Sequence, residues 1–537
     1  MHFSQGCTSD RRSTLSVKFD ERKVDAVFSE FDQCRFPGVA VGIAVGGTPI
    51  YRRGFGLASM ELPVVLAPTI RMRIASMTKQ FTCLAYMLLC EKGRAGIDDS
   101  IGTWLPELHP VTRRVTMRQL MGHLGGLRDV HDIVWQLSGT GRPISSTDLL
   151  ALYQDIDDAN AAPGTTWSYN NGGYLLLSAA IERIADRSLE EVLRQDVLEP
   201  AGMRDSLLRR VDTDFVPNSA TLHMTVEGGG FERSYLGTAL AGEAGMVSTI
   251  DDMLRWLAHM DVPVVGSAST WALMKTPQRL ANGTSTGYGL GLMVDPYRSI
   301  EALAHGGSVM GANSYMLKVP AVGLDVVVLA NRFDVAAALL ARKVLDICLS
   351  DSEPTKEASS VSFAVGTYRS PATGRVVQLF AKEGEQIASI DGYDLPFTSA
   401  ERGILVPGIV ASFMKLKVAL IGDAERPVAL RLDDFGNVDE LVAVKLPDEI
   451  LPSAIAGRYR SQTTGTEVEI HETAEGPRLV TAGRFGSTAY ALECLAEGVW
   501  RARSMSAMPW GGIVSFDDVG CRFTTARTRR LPLRRYG

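Results

Sequence analysis

The sequence predicts an α+β domain followed by two antiparallel β-barrels. Three observations carry that prediction. Helix-period and strand-period segments mix up to about residue 350. A polar, proline-interrupted stretch, "LSDSEPTKEASS" at 349–360, then breaks the pattern, and beyond it short alternating segments divided by Gly, Pro, Asp and Asn dominate. The third observation is a repeat: "GTYRSPATG" opens at Gly366 and "GRYRSQTTG" opens at Gly457, 91 residues later.

In that repeat Tyr368 matches Tyr459, Arg369 matches Arg460 and Gly374 matches Gly465. Two β modules of about 90 residues follow, each closed or nearly closed, because closure removes exposed strand edges. At 537 residues the chain is too long for one core. The expected domains are residues 1–350, 351–450 and 451–537.

Before the break, "GVAVGIAVGGTPIYRRGFGLAS" reads as a hairpin turning at Gly46-Gly47. It is not a nucleotide loop, since no helix follows and the GxGxxG spacing is absent. "LDVVVLAN" from 324 reads as a strand and "DVAAALLARKVLDICL" as a helix, and together they predict one antiparallel sheet with helices packed on it.

Composition narrows the function classes. Hydrophobic residues make up 45% and charged residues 22%, ordinary for a globular protein, and the net charge of -6 argues against a nucleic-acid surface. The basic ending "RTRRLPLRRYG" reads as a solvated final strand and tail. The first 25 residues lack the apolar stretch of a signal peptide, and no run reaches the roughly 18 residues of a membrane span. Seven scattered cysteines without a CxxC pair suit reduced thiols, so a cytoplasmic location is expected.

The candidate chemistry starts with Ser76 and Lys79 in "RMRIASMTKQFTCLAYMLLCEKG". Apolar residues at Phe81, Leu84, Ala85, Leu88 and Leu89 predict a buried helix ending at Gly93. That places Ser76 on its first turn with Lys79 on the same face. A serine hydroxyl needs a base, and a lysine in an apolar site loses its charge readily enough to serve as one. The backbone N–H of Ser76, at a helix start, suits an oxyanion. The same spacing at Ser412 and Lys415 falls on a segment read as a strand, where the two side chains oppose each other.

Two further segments complete a constellation. "PGTTWSYNNGGYLLLSAAIERIA" sets Tyr169 and Asn171 in a turn before a helix. Tyr169 can pass a proton if a nearby cation partly ionises its phenol, and Asn171 can orient the lysine and hold a substrate carbonyl. "EALAHGGSVMGANSYMLKVP" sets His305 before Gly306 and Gly307, whose missing side chains allow close approach to the backbone. The N–H of Ser308 is the second candidate oxyanion donor. His305 could hold a substrate group or assist proton traffic.

Ser76-Met-Thr-Lys79, Tyr169-Asn-Asn171 and His305-Gly-Gly307 occur in the order and spacing of penicillin-recognising serine hydrolases, which the chain resembles over about residues 35–350. "MRQLMGHLGGL", "AGEAGMVSTIDDMLRW" and "YGLGLMV" also match. The resemblance implies a β-lactamase/transpeptidase-like domain, with an antiparallel sheet, helices on both faces and an all-helical cluster, acting through an acyl-enzyme on Ser76.

His305 departs from the lysine usual in β-lactamases, which removes a fixed charge for a β-lactam carboxylate. That histidine and the two barrels resemble the D-aminopeptidase branch of the family. There, a loop of the last barrel brings an aspartate to the substrate amine. The matching stretch here is 503–511, "RSMSAMPWG", with Ser506 in the acidic position, and Met505, Met508 and Trp510 offering an apolar wall.

The expected protein is thus a serine hydrolase with Ser76 as nucleophile and Lys79 and Tyr169 sharing proton transfer. His305 assists, and Asn171, Gly307, Ser308, Ser506 and Trp510 bind substrate. The expected substrate is a small amide or short peptide with a D-configured acyl residue. A short-chain ester, acyl transfer to an amine, and an acylation-only penicillin-binding sensor are the alternatives. No metal or organic cofactor, nucleic acid or membrane partner is expected, and a homodimer is left open.

Overall fold

The structure is a computed structural model that describes residues 16–139, 142–294, 296–297, 300–349, 364–408, 414–448, 452–505 and 511–536. Ser412, Ser506, Met508, Trp510, Cys7 and most of the 349–360 stretch lie outside them.

The first unit is built on a six-stranded antiparallel sheet. Strands β1 (Val39–Val45) and β2 (Thr48–Phe55) form the hairpin. Gly46 and Gly47 turn it with φ of +55° and +77°, a conformation that a side chain would oppose. Strands β3 (Met293–Val294), β4 (Leu303–Val309), β5 (Ala312–Val319) and β6 (Leu324–Ala330) complete the order β3-β4-β5-β6-β1-β2.

β1 and β6 lie at the middle and are covered on both faces, so they read as continuous apolar runs rather than alternating ones. Their successive residues still divide between two cores. Val39, Val41, Ile43, Val326 and Val328 pack with Val24, Phe28, Leu340 and Val344. Ala40, Ala44, Val327 and Leu329 pack with Ile250, Leu254 and Trp256. Burying each such aliphatic side chain contributes about 1.5–3 kcal/mol. Gly42 faces the second core, where a Cβ would stand 2.4 Å from Ile250 Cγ2.

Helix α1 (Lys79–Glu91) is buried along nearly its whole length and ends as expected at Gly93, φ +67°. Ser76 is not on its first turn. A 3₁₀ turn at Ala75–Thr78 precedes α1 and carries the serine. Ala75 enters that turn with φ +47°, a costly conformation for a residue with a Cβ. Helix α2 (Asn171–Ala185) starts at Asn171, with Asn170 as its cap accepting from the Gly173 N–H.

Each barrel has eight strands, closed by pairing of first with last. Gly366–Arg369 pairs with Asn437–Val444, and Gly457–Arg460 pairs with Leu531–Tyr536. The sequence repeat is the opening strand and turn of each barrel. Tyr368 and Tyr459 are both buried, and Gly374 and Gly465 close equivalent turns onto the carbonyls of Ser370 and Ser461 at 3.0 and 2.9 Å.

The barrels dock on the first unit through specific polar contacts. The Tyr490 hydroxyl donates to the Gln136 carbonyl (2.7 Å) and the Asn437 amide to the Thr165 carbonyl (3.1 Å). Asn160 grips the last hairpin twice, donating to the Arg527 carbonyl (2.7 Å) and accepting from the Arg529 N–H (2.9 Å). Here the reading of the basic ending as a solvated tail needs correction. Leu531–Tyr536 is the final strand, but the loop before it is clamped against the first unit, carrying Arg527 and Arg529 inward. Lys415 directly precedes the strand Leu416–Gly422 and donates to the Ser285 carbonyl at 2.8 Å, away from Ser76. Among the described residues no helix is long and apolar enough to cross a membrane.

Asn331, fully buried at the end of β6, holds three segments together. It accepts from the Gly38 N–H (2.8 Å) and donates to the carbonyls of Leu57 (3.0 Å), Ala58 (3.2 Å) and Thr221 (3.0 Å). An Asn331→Ala protein would bury one unpaired N–H and weaken three carbonyls. Its unfolding midpoint in denaturant should therefore fall by the equivalent of about 3 kcal/mol. An unchanged midpoint would contradict this role.

Candidate active site

Four elements converge on Ser76: its 3₁₀ turn, the start of α1, the start of α2, and β4. The close approach of β4 explains Gly307. A Cβ there would stand 2.2 Å from the Ile74 carbonyl oxygen and 3.0 Å from Ala75 Cβ, so no larger residue fits against the strained turn. Ser314, opposite Gly307 in the ladder, donates to the same Ile74 carbonyl at 2.8 Å. Ser308 follows on β4, exposed to the cavity.

Lys79 is fully buried, and its amine is held by three groups. It donates to Asn171 Oδ1 (2.8 Å) and the Glu243 carbonyl (2.7 Å), and Ser76 Oγ lies 3.2 Å away. Burial opposes its charge, Glu243 supports it and Arg527 opposes it, and the balance lowers its pKa to about 7. A neutral amine has two protons and one lone pair. With the two carbonyl oxygens taking the protons, the lone pair faces the serine hydroxyl.

Tyr169 lines the same cavity as Ser76, and the Lys79 Nζ lies 4.7 Å from the centre of its ring. Burial pushes the phenol above its ordinary range, against the opposing pull of Ser76 and Arg527. The partial ionisation expected from a neighbouring cation is therefore not what the site produces. Tyr169 stays protonated, because desolvation outweighs the pull of Arg527.

His305 is also fully buried. Its Nδ1 lies 2.7 Å from the Gly306 carbonyl, which can only accept, so that nitrogen carries the proton and Nε2 accepts from the Tyr288 hydroxyl at 2.9 Å. Burial and Lys79 lower its pKa to about 3, so the ring is neutral. Both nitrogens are engaged by protein groups.

The sequence-based reading missed a set of buried residues behind this front. Asp129 accepts from the N–H groups of His131 (3.1 Å), Asn171 (3.0 Å) and Gly172 (3.1 Å), satisfying the start of α2 and fixing Asn171. His131 stands between Asp129 and Glu243, 3.7 and 3.5 Å from their carboxylates. Although burial opposes its charge, the two carboxylates raise its pKa to about 9. Asp129 and Glu243 are both held ionised below the usual carboxylate range, against burial, chiefly by His131. His123 packs its ring 4.1 Å from that of Tyr169 and accepts from the Asn170 N–H at 3.1 Å.

Arg527 was missed as well. Its guanidinium carbon lies 5.3 Å from the Tyr169 ring centre, and Nη1 lies 3.6 Å from Asp129 Oδ2. All three units wall the cavity over Ser76, which measures about 620 Å³: Tyr169 and His305 from the first, Arg375 and Tyr393 from the second, Arg527 and Arg529 from the third. The structure thus brings together Ser76, Lys79, Tyr169, Asn171, His305, Gly307 and Ser308, while Ser506 and Trp510 lie outside the described residues. Among the described residues, a loop of the second barrel carrying Arg527 reaches the site.

Comparison with known proteins places the first unit in a family. The family described as Beta-lactamase matches residues 24–349. A D-aminopeptidase of Gluconobacter oxydans (strain 621H) is 27% identical over 366 residues, covering 67% of this chain and 68% of that protein. A D-aminopeptidase of Brucella anthropi is 28% identical over 362 residues, covering 64% and 65%. The match thus spans about two-thirds of these relatives' length.

Among solved structures, the octameric penicillin-binding protein homologue from Pyrococcus abyssi superposes with a TM-score of 0.57 at 22% identity, covering 79% of this chain and 100% of that one. The D-amino acid amidase from Ochrobactrum anthropi SV3 gives a TM-score of 0.52 at 21% identity, covering 62% and 99%. With more than half its length matched, this chain belongs to the Beta-lactamase family of serine hydrolases.

Proposed function

We propose that the protein hydrolyses amide bonds of small D-configured substrates through an acyl-enzyme on Ser76. The observation that carries this reading is the Lys79 amine, which loses its extra proton near pH 7 and is oriented by two carbonyl oxygens so that its lone pair meets Ser76 Oγ at 3.2 Å. Lys79 takes the serine proton as Oγ attacks the substrate carbonyl. The N–H groups of Ser76 and Ser308 receive the oxyanion.

Tyr169, protonated and beside the Lys79 amine, donates to the departing nitrogen and is recharged from the Lys79 ammonium. A water then attacks the acyl carbonyl along the same proton path in reverse. Asn171 keeps the lysine in place, and His305, fully engaged with Tyr288 and Gly306, shapes the wall opposite Tyr169. The cavity of about 620 Å³ suits an amino-acid amide or a short peptide. The D-configuration is supported by the relatives named as D-aminopeptidases, which match 67% and 64% of this chain.

Ser76→Ala should remove hydrolysis of D-alanine p-nitroanilide by at least about 10⁴-fold and abolish labelling by a fluorophosphonate. Retained labelling at another residue, or retained turnover, would overturn the assignment.

The pH dependence follows from Lys79. The base is its neutral form, which is lost as pH falls through about 7, so kcat/KM should drop tenfold per pH unit below that point. His305 is already neutral there and contributes no inflection between pH 5 and 8. A profile flat from pH 5 to 8 would exclude Lys79 as the base.

A further inference from the structure

The cations around the cavity differ in what they already hold. Arg375 is closed by Asp391 (2.9 Å) and Asp434 (2.7 Å), and Arg529 by Asp434 (3.2 Å). Arg527 is the exception. Among the described residues its guanidinium makes no hydrogen bond, and its approach to Asp129, at 3.6 Å, is too long for one. Asp129 in turn is already satisfied by three backbone N–H groups. The Arg527 side chain is 35% exposed, and the space beside it is the cavity over Ser76.

Position adds to this. The guanidinium lies against Tyr169, whose ring also packs against the Lys79 amine, and it lines the same cavity as Ser76, so it stands beside the proposed reacting centre. Two backbone bonds from Asn160 hold the loop, one on the Arg527 carbonyl and one on the Arg529 N–H, so the side chain is presented by a fixed backbone. Five donors in a planar fork, unused and pre-positioned, match a carboxylate in charge and shape. A substrate ammonium in the same place would meet a like charge.

Building on the acyl-enzyme reading above, we infer that Arg527, supplied by the second barrel, is a specificity residue that receives a carboxylate of the substrate close to the scissile amide. The carboxylate can belong to the leaving amino acid, on the side where Tyr169 delivers its proton, or to a short acidic side chain of the acyl residue. Both present the same anion to the guanidinium.

The test uses the full chain and two matched substrate pairs. One pair is acetyl-D-alanyl-D-alanine and its C-terminal carboxamide, which places the charge on the leaving group. The other is the p-nitroanilide of D-glutamate and that of D-glutamine, which places it on the acyl side. The carboxylate member of one pair should be favoured about 10- to 100-fold in kcat/KM. Arg527→Gln should bring that ratio close to one, and Arg527→Lys, which keeps charge and bulk but loses the fork, should fall between. Removing Arg527 also raises the Lys79 pKa, but that affects both members of a pair equally, so the ratio isolates recognition. Turnover of the neutral members by the unaltered protein without a preference in either pair would overturn the inference and leave the proposed function standing. So would a preference that survives Arg527→Gln. No turnover of any of the four, with Ser76 unlabelled, would overturn both.

Discussion

The site depends on one buried amine. Lys79 has no exposed surface, and a charged ammonium there would lose nearly all its hydration. Two carbonyl oxygens and the Ser76 hydroxyl surround it, and the opposing pulls of burial and the ionised Glu243 bring its pKa to about 7. A more exposed lysine would stay charged and have no lone pair for the serine. A lysine more deeply buried without acceptors would rotate freely and lose its aim. The protein places the group between these limits with a backbone carbonyl and a side-chain amide, neither of which titrates.

The rest of the first unit reads as support for that arrangement. The His131 imidazolium, set between Asp129 and Glu243, keeps two carboxylates ionised out of water. One of these carboxylates fixes the start of α2, and hence Asn171. The other belongs to the residue whose carbonyl accepts from Lys79. On the opposite side, Gly307 lets β4 press against the turn where Ala75 is strained. Strain of this kind persists only where its surroundings over-determine it. Here those surroundings are a buried strand, the Ser314–Ile74 hydrogen bond and the fully packed α1.

Much of this was legible in the sequence. The glycine pair of the hairpin, the apolar period of α1 and the two "YRS" openings each carry a local physical signal, and each reappears as the predicted element. Ser76, Lys79, Tyr169 and Asn171 stood out because their order and spacing resemble a known pattern. The shift of Ser76 into a 3₁₀ turn was not legible, since the serine–lysine spacing is the same in either helix type. Asp129, His131 and Glu243 look like ordinary surface charges until the fold buries them. Arg527 lies 448 residues from Lys79 in a run of arginines, and its place in the cavity arises from barrel closure and the grip of Asn160.

The barrels therefore complete the cavity over Ser76 as well as flanking it. Their loops supply wall, charge and depth to a cavity whose proposed reacting groups all come from the first unit. The charge state of Lys79 remains the point on which everything turns, and it can be read without any substrate. Protein labelled with ¹³C at lysine Cε, titrated by NMR beside Lys79→Arg, isolates its resonance. The account predicts one lysine signal, absent from the variant, that titrates near pH 7. If every lysine titrates near the ordinary value of about 10.4, the amine is charged in the resting protein and cannot activate Ser76.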